Sequence, residues 1–303
     1  MEQQNQHTIH TSTHEKKDWY DKWYKMLLFL PVILFVICII YLSYFYSVNN
    51  DFIYKDSSLS GGTTITLNAD IDVVALKASL KQTIPDVYVR SITDISTGRH
   101  IAVIIDSAAT PEVLKPEIEK FLGYELTSEN SNIEFSGPSL GQNFYKQLLI
   151  AIIMSFVLMS LVIFVLFRSF IPSIAVIFAA LADIIMTLTA INVLGVRLSA
   201  AGIAAFLMLI GYSVDTDILL TTRVLRKKEV SVNQRIYGAF KTGIFMTLTA
   251  LAAVLPAFFI VTGLPDSFRQ IFLILGIGLF GDIVNTWLTN ASLIKWYAVV
   301  KKL

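Results

Sequence analysis

Six runs of roughly 20 or more apolar residues set the terms for this chain, at 26–48, 147–167, 171–194, 198–222, 239–261 and 271–294. At about 1.5 Å of rise per residue, a run of that length crosses the roughly 30 Å of hydrocarbon in a bilayer. Charged residues make up only 16% of the chain, against about 25% in a soluble domain. The reading is an integral membrane protein with six spanning helices. The first run follows a polar tail (1–25), is too long for a signal-peptide core, and leads into Ser43-Tyr44-Phe45-Tyr46 without a small-x-small cleavage site. It is expected to be a retained anchor. Trp19, Tyr20, Trp23 and Tyr24 before it, and Tyr41, Tyr44, Phe45 and Tyr46 at its end, suit rings resting at the two interfaces. Cys38, the single cysteine, lies inside this run and excludes an intrachain disulfide.

The net charge of +1 says nothing about partners, but the placement of the basic residues does. One side would carry Lys16, Lys17, Lys22 and Lys25, then Arg168, then Arg223, Arg226, Lys227, Lys228, Arg235 and Lys241, then Lys295, Lys301 and Lys302. The short loops of the other side hold Arg197 and Arg269 alone. Cytoplasmic loops are the basic ones, so both termini (the second tail being 295–303) are expected in the cytoplasm and residues 49–146 outside.

Segment 49–146 is the one stretch able to form a water-soluble domain. Residues 63–68 are β-rich, and 71–81 have helical spacing after a cap at Asp70. Strands follow at 87–95 and 101–105 around the turn signal Thr97-Gly98. Thr110 caps a helix with Pro111 in its first position, and 132–135 can form a last strand. The order β-α-β-β-α-β is that of a ferredoxin-like unit. His100 stands alone, and His7, His10 and His14 share a polar tail, so neither a catalytic set nor a metal site is expected.

Four acids fall within spans: Asp183, Asp215, Asp217 and Asp282. Each costs on the order of 3 kcal/mol at a span centre, so they should face protein or water, or be protonated. Asp215 and Asp217 point to opposite sides of their helix at about 100° per residue. Interhelical hydrogen bonding is the structural reading of such acids, and a proton relay the functional one. Small-residue faces, Ala179-Ala180-Ala182 and Gly276-x-Gly278-x-x-Gly281, allow helices to approach closely. There is no P-loop, nucleotide fingerprint, G-x-S-x-G or metal-ligand spacing. No enzymatic activity, cofactor, metal or nucleic-acid partner is expected, and any work must draw on an ion gradient or a partner.

Local motifs then suggest a family. Ser60-Gly61-Gly62-Thr63-Thr64, Gly137-Pro138-Ser139-Leu140-Gly141 and Leu209-Ile210-Gly211-Tyr212-Ser213-Val214-Asp215-Thr216-Asp217, with Arg223 closing the helix, resemble segments of the SecD/SecF family on its SecF side. Gly281-Asp282-Ile283-Val284-Asn285-Thr286-Trp287-Leu288-Thr289-Asn290 looks like its archaeal branch. The resemblance covers about residues 55–295. Bacterial SecF places its acid one position later, where this chain has Thr216, while Asp215 matches the acid of the corresponding SecD span.

The resemblance implies a resistance-nodulation-division membrane fold, six spans forming half of a twelve-span unit with SecD. It implies an accessory role beside the Sec translocation channel, in which external domains move with the proton gradient to help exported polypeptides across the cytoplasmic membrane. It carries the proton-dependent role to Asp215, with Asp183, Asp282 and Asp217 as further candidates. The alternative is a half-size transporter of lipids or small molecules acting as a homodimer. The charge asymmetry gives a direct test: a cysteine at Ser128 should react with an impermeant thiol reagent from outside intact cells, and one at Ser231 should not. Labelling of Ser231 from outside would reverse the orientation.

Overall fold

The computed structural model describes residues 19–93, 100–226, 230–260 and 266–302. Among the described residues, six helices are long and apolar enough to cross a membrane. They are α1 (Trp19–Asn49), α5 (Pro138–Phe167), α6 (Phe170–Val193), α7 (Ala200–Arg226), α8 (Val232–Ile260) and a final rod. That rod is built from α9 (Asp266–Val284), a π-helical turn (Asn285–Asn290) and α10 (Ala291–Val300). Between α1 and α5 lie a short helix α2 (Ser57–Ser60), strand β1 (Gly62–Leu67), helix α3 (Val73–Thr83), strands β2 (Val87–Thr93) and β3 (His100–Ser107), helix α4 (Pro111–Leu122) and strand β4 (Ser131–Ser136). The tail histidines and the Thr97-Gly98 turn lie outside the described residues.

The sheet is antiparallel in the order β2-β3-β1-β4, the arrangement expected of a β-α-β-β-α-β unit. Alternation along the strands sends Ile65, Leu67, Val89, Val103 and Ile105 onto Leu76 and Leu80 of α3 and Leu114 and Ile118 of α4. The opposite face, with Thr64, Thr66, Ala102 and Ile104, is also buried, and there Thr64 Oγ1 donates to Asp106 Oδ1 at 2.7 Å. The cap of α3 is Asp72, which accepts from the amides of Val74 and Ala75 at 2.9 and 3.1 Å, and not Asp70. Two residues of register separate these acids, and the apolar spacing at Ile71 did not distinguish them. Pro111 opens α4 after Thr110 as expected, although the Thr110 side chain makes no capping bond.

Among the spanning helices, α6, α7 and the α9–α10 rod form the buried centre, while α1, α5 and α8 are exposed along most of their apolar length. Close approach rests on small residues: Ala179, Ala180 and Ala182 are buried, and a Cβ at Gly278 would overlap the Leu209 side chain. The sixth span runs past the expected boundary, with 295–300 helical. Lys295 is 1% exposed, 2.8 Å from Asp21 Oδ1, with its ammonium 4.0 Å above the Tyr20 ring. Arg235, also counted as a loop charge, is buried and donates to the Val224 carbonyl at 2.6 Å.

Two motifs distant in sequence meet where the sheet joins the helices. Gly61 has φ +86°, ψ 148°, a conformation nearly reserved for glycine, and a Cβ there would overlap Pro138. A Cβ on Gly141 would lie 2.7 Å from the Gly61 amide nitrogen. Gly61 therefore seats backbone against backbone on the first turn of α5, while a Cβ on Gly62 would overlap the Ser107 carbonyl of β3. Gly137 belongs to the same motif, but nothing lies within 4 Å of its would-be Cβ and its φ is −65°. Gly141→Ala should lower stability by about 1–3 kcal/mol, as overpacking does, whereas Gly137→Ala should be close to neutral. Thermal unfolding of the two variants in detergent checks the contrast.

Candidate functional site

Three of the four membrane acids come together. Asp183 of α6, Asp217 of α7 and Asp282 of α9 are each 0% exposed. Asp183 accepts from the Ser213 hydroxyl and from Asn285 Nδ2, the latter at 2.6 Å. Thr216 Oγ1 lies 3.1 Å from both oxygens of Asp282 and 2.8 Å from the Ser213 carbonyl. Thr286 Oγ1 is 2.9 Å from Asp217 Oδ1 and 2.9 Å from Asp282 Oδ1, and Asn290 Nδ2 donates to Asp217 Oδ1 at 2.7 Å. Hydroxyls and amides thus join the three carboxyls into one network across α6, α7 and the last rod.

The local sequence explains the convergence. On α7, Leu209, Ser213, Thr216, Asp217 and Leu220 fall on one buried face, as positions i, i+4, i+7, i+8 and i+11 must. On the last rod, the π turn closes with the Ala291 amide bonded to the Thr286 carbonyl, a bond spanning five residues. Within that turn Asn285, Thr286, Trp287, Thr289 and Asn290 are all buried. Asn285 reaches Asp183, while Thr286 and Asn290 reach Asp217.

The network also constrains its protons. A threonine hydroxyl carries one hydrogen, and an ionised carboxylate only accepts. Both contacts at Thr286 are hydrogen bonds only when Asp217 or Asp282 is protonated. Among the described residues no basic side chain pairs with any of the three acids, so nothing compensates three negative charges in a space this small. Asp217 Oδ2 and the amide oxygens of Asn285 and Asn290 are buried without a partner among the described residues. The arrangement can therefore hold and pass protons between carboxyls through intervening hydroxyls.

Asp215, the acid singled out by the sequence, does not join them. It is exposed on α7 in a stripe with Met208, Gly211 and Tyr212, and has no hydrogen-bond or ion-pair partner among the described residues. Arg223 does not neutralise the acids either. Its guanidinium donates to the Gly238 carbonyl and to Thr242 Oγ1, the latter at 3.0 Å, fastening α7 to α8. The sequence reading passed over Asn285, Thr286 and Asn290 as donors. The available signal was their spacing from Asp282: polar residues at i, i+3, i+4 and i+8 in an otherwise apolar span. Thr286→Val keeps the shape but removes the hydroxyl shared by two carboxyls, and should cost about 1–3 kcal/mol. Asp215→Asn on the exposed stripe should stay within about 0.5 kcal/mol. Chemical denaturation in mild detergent compares the two.

Comparison with known proteins bears on what such a network serves. The family described as "Protein export membrane protein SecD/SecF, C-terminal" matches residues 118–300. The "Protein-export membrane protein SecF" of Methanocaldococcus jannaschii is 36% identical over 282 residues, covering 91% of this chain and 96% of the relative. That of Pyrococcus furiosus is 33% identical over 276 residues, covering 90% of each. Among solved structures, the crystal structure of SecDF from Thermus thermophilus, "a translocon-associated membrane protein", superposes with a TM-score of 0.73 at 18% identity. The match covers 92% of this chain but 38% of the longer SecDF chain, and at that identity it shows a shared fold.

Proposed function

The chain belongs to the SecD/SecF family, and on that premise we propose that it is a SecF-type accessory subunit of the Sec translocation apparatus, acting with a SecD-type partner to promote protein export. Names and coverage of the archaeal relatives support this reading over a self-contained transporter of lipids or small molecules. It is a multi-pass membrane protein. The distribution of basic residues supports cytoplasmic termini in the cytoplasmic membrane, with 49–146 outside. Its contribution is mechanical, exerted on or beside the exported polypeptide through the sheet domain. Six spans supply half of a twelve-span unit, and the exposed stripe through Met208, Gly211, Tyr212 and Asp215 is a surface for the partner's spans.

The observation that carries a proton-coupled role is the Asp183–Asp217–Asp282 network, in which carboxyls share hydroxyl donors and lack a basic partner among the described residues. Changing the number of protons held there changes which contacts are hydrogen bonds and which are repulsions, and so changes how α6, α7 and the last rod pack. Moving one charge through 100 mV supplies about 2.3 kcal/mol, enough to shift such a balance. In this reading Asp217 and Asp282 hold the proton, Asp183 is the third carboxyl of the network, and Asp215 meets the partner.

Reconstituted export with and without a proton gradient tests the assignment, scored beside complex yield. Asp217→Asn and Asp282→Asn should each abolish gradient-dependent stimulation while leaving the SecD-type complex assembled. Asp215→Asn should lower complex yield more than it lowers stimulation per complex. The opposite pattern, with stimulation lost only in Asp215→Asn, would move the proton-carrying role to the subunit interface.

A further inference from the structure

Two neighbouring hollows beside α9 meet to form one groove. The larger, about 510 Å³, is walled by α6, α8 and α9, with Met186, Leu255, Phe272, Gly276 and Phe280 among its lining. The described residues of that lining carry no charge, and none of them belongs to α7. The smaller hollow, about 210 Å³, opens where strand β2 meets the start of α9, and Arg90, Ser91 and Arg269 line it. Phe258 and Leu273 belong to both. Arg269 stands at the junction, its guanidinium 4.5 Å from the centre of the Phe258 ring.

Helix α9 shapes the floor. Phe272, Gly276 and Phe280 are four residues apart and follow one side of the helix. With no side chain at Gly276 the floor dips between the two rings; a Cβ there would meet Leu255 at 3.6 Å, an ordinary contact. Phe280 is 67% exposed and Phe259 53%, apolar surface that this chain leaves uncovered. From Phe272 to Val284, the groove follows about 18 Å of helix. That is close to half of the roughly 30 Å of hydrocarbon, so the groove is one leaflet deep, on the side of the sheet domain. Its inner end reaches the acid network: Met186 Sδ accepts from Asn285 Nδ2 at 3.2 Å, and a Cβ on Gly281 would lie 3.8 Å from Asp183 Oδ1.

We propose that this groove binds one anionic phospholipid from the leaflet on the sheet-domain side, with an apolar chain over Gly276 and the phosphate between Arg90 and Arg269. Depth and charge both select that occupant. A partner's spanning helix needs contact along the full hydrocarbon thickness, whereas this groove stops near the bilayer centre. A neutral lipid would leave the two guanidiniums at the mouth without a counter-charge of its own. Among the described residues the lining of the smaller hollow holds those two cations and no carboxylate. Each guanidinium presents five N–H donors in a fork that matches phosphate oxygens, so it can take a phosphate beside the contacts it makes within the chain. One arginine stands on the sheet domain and the other on a membrane helix. The headgroup therefore bridges the two parts of the protein.

The site requires only that the helices span a bilayer, and it holds whether or not the chain serves export. The test reconstitutes the full chain in vesicles of equimolar dioleoylphosphatidylglycerol and dioleoylphosphatidylcholine, extracts it in mild detergent and weighs it by native mass spectrometry. Both lipids carry the same chains, so any difference reports the headgroup. One phosphatidylglycerol should be retained per protein, preferred over phosphatidylcholine by about tenfold or more, the scale of two basic residues acting on an anionic lipid. Arg90→Gln combined with Arg269→Gln should bring that ratio to about one. Gly276→Leu, which fills the dip in the floor, should lose retained lipid of either kind. Thermal unfolding in lipid-free detergent establishes that each variant is folded, and the arginine variant decides alone if Gly276→Leu is not. Equal retention of the two lipids by the unsubstituted protein overturns the proposal, as does a ratio unchanged in the arginine variant. Glycerol 3-phosphate displacing the lipid as well as phosphatidylglycerol does would reduce the site to a phosphate cleft and overturn the lipid assignment. Loss of the retained lipid on adding a SecD-type partner would make the groove a seat for a helix and overturn it as well.

Discussion

Carboxyl groups sunk among apolar helices without a basic partner must find every donor they need from neighbouring hydroxyls and amides. That requirement organises the membrane half of this protein. Asp183, Asp217 and Asp282 sit on three different elements, and their donors on α7 and the final rod tie those elements together. The helices that carry the network are the buried ones, while α1, α5 and α8 turn apolar faces outward, and the one acid among these three helices, Asp21, sits in the first turn of α1 and outside its apolar stretch. Apolar packing alone fixes helix position loosely in a bilayer, because lipid tails satisfy leucine as well as another helix does. Directional bonds to carboxyls set rotation as well as proximity.

Much of this was legible in the chain and some was not. Hydropathy located the six spans, and alternation with turn residues gave the β-α-β-β-α-β order, because both signals are local. The acids were legible as a set but not as a constellation. Geometry along one helix separates Asp215 from Asp217 by about half a turn, yet it does not say which of the two faces the interior. The neighbours decide: Ser213 and Thr216 accompany Asp217 on the face shared with Leu209 and Leu220, while Gly211 and Tyr212 accompany Asp215 outward. The π turn was out of reach for another reason. It depends on what Asn285, Thr286 and Asn290 meet on other helices, which no window of sequence contains.

The glycine motifs show a different limit. Gly61-Gly62 and Gly137-Pro138-x-x-Gly141 each read as an ordinary breaker taken singly, and Gly61 and Gly141 are explained by each other once the chain is folded. Absence of side chains on both partners brings the start of the sheet domain onto the start of α5 with nothing between them. The serines of α2 then face two ways, Ser58 toward α7 and Ser57 toward the sheet. A short polar segment after the first span is thereby made into the joint between a water-soluble unit and the membrane helices.

The wide turn at Asn285–Asn290 has an effect beyond the carboxyls it serves. A π bulge is in effect one residue more than the regular helix would use, so everything after it is turned by about 100° from where an unbroken helix would put it. Lys295 begins its approach to Asp21 and Tyr20 from that displaced register. The far end of the last rod thus keeps its phase on credit from the middle: were the bulge to relax, Lys295 would swing off the first helix. The donors of the buried carboxyls and the contact that holds the N-terminal helix therefore depend on one and the same screw displacement.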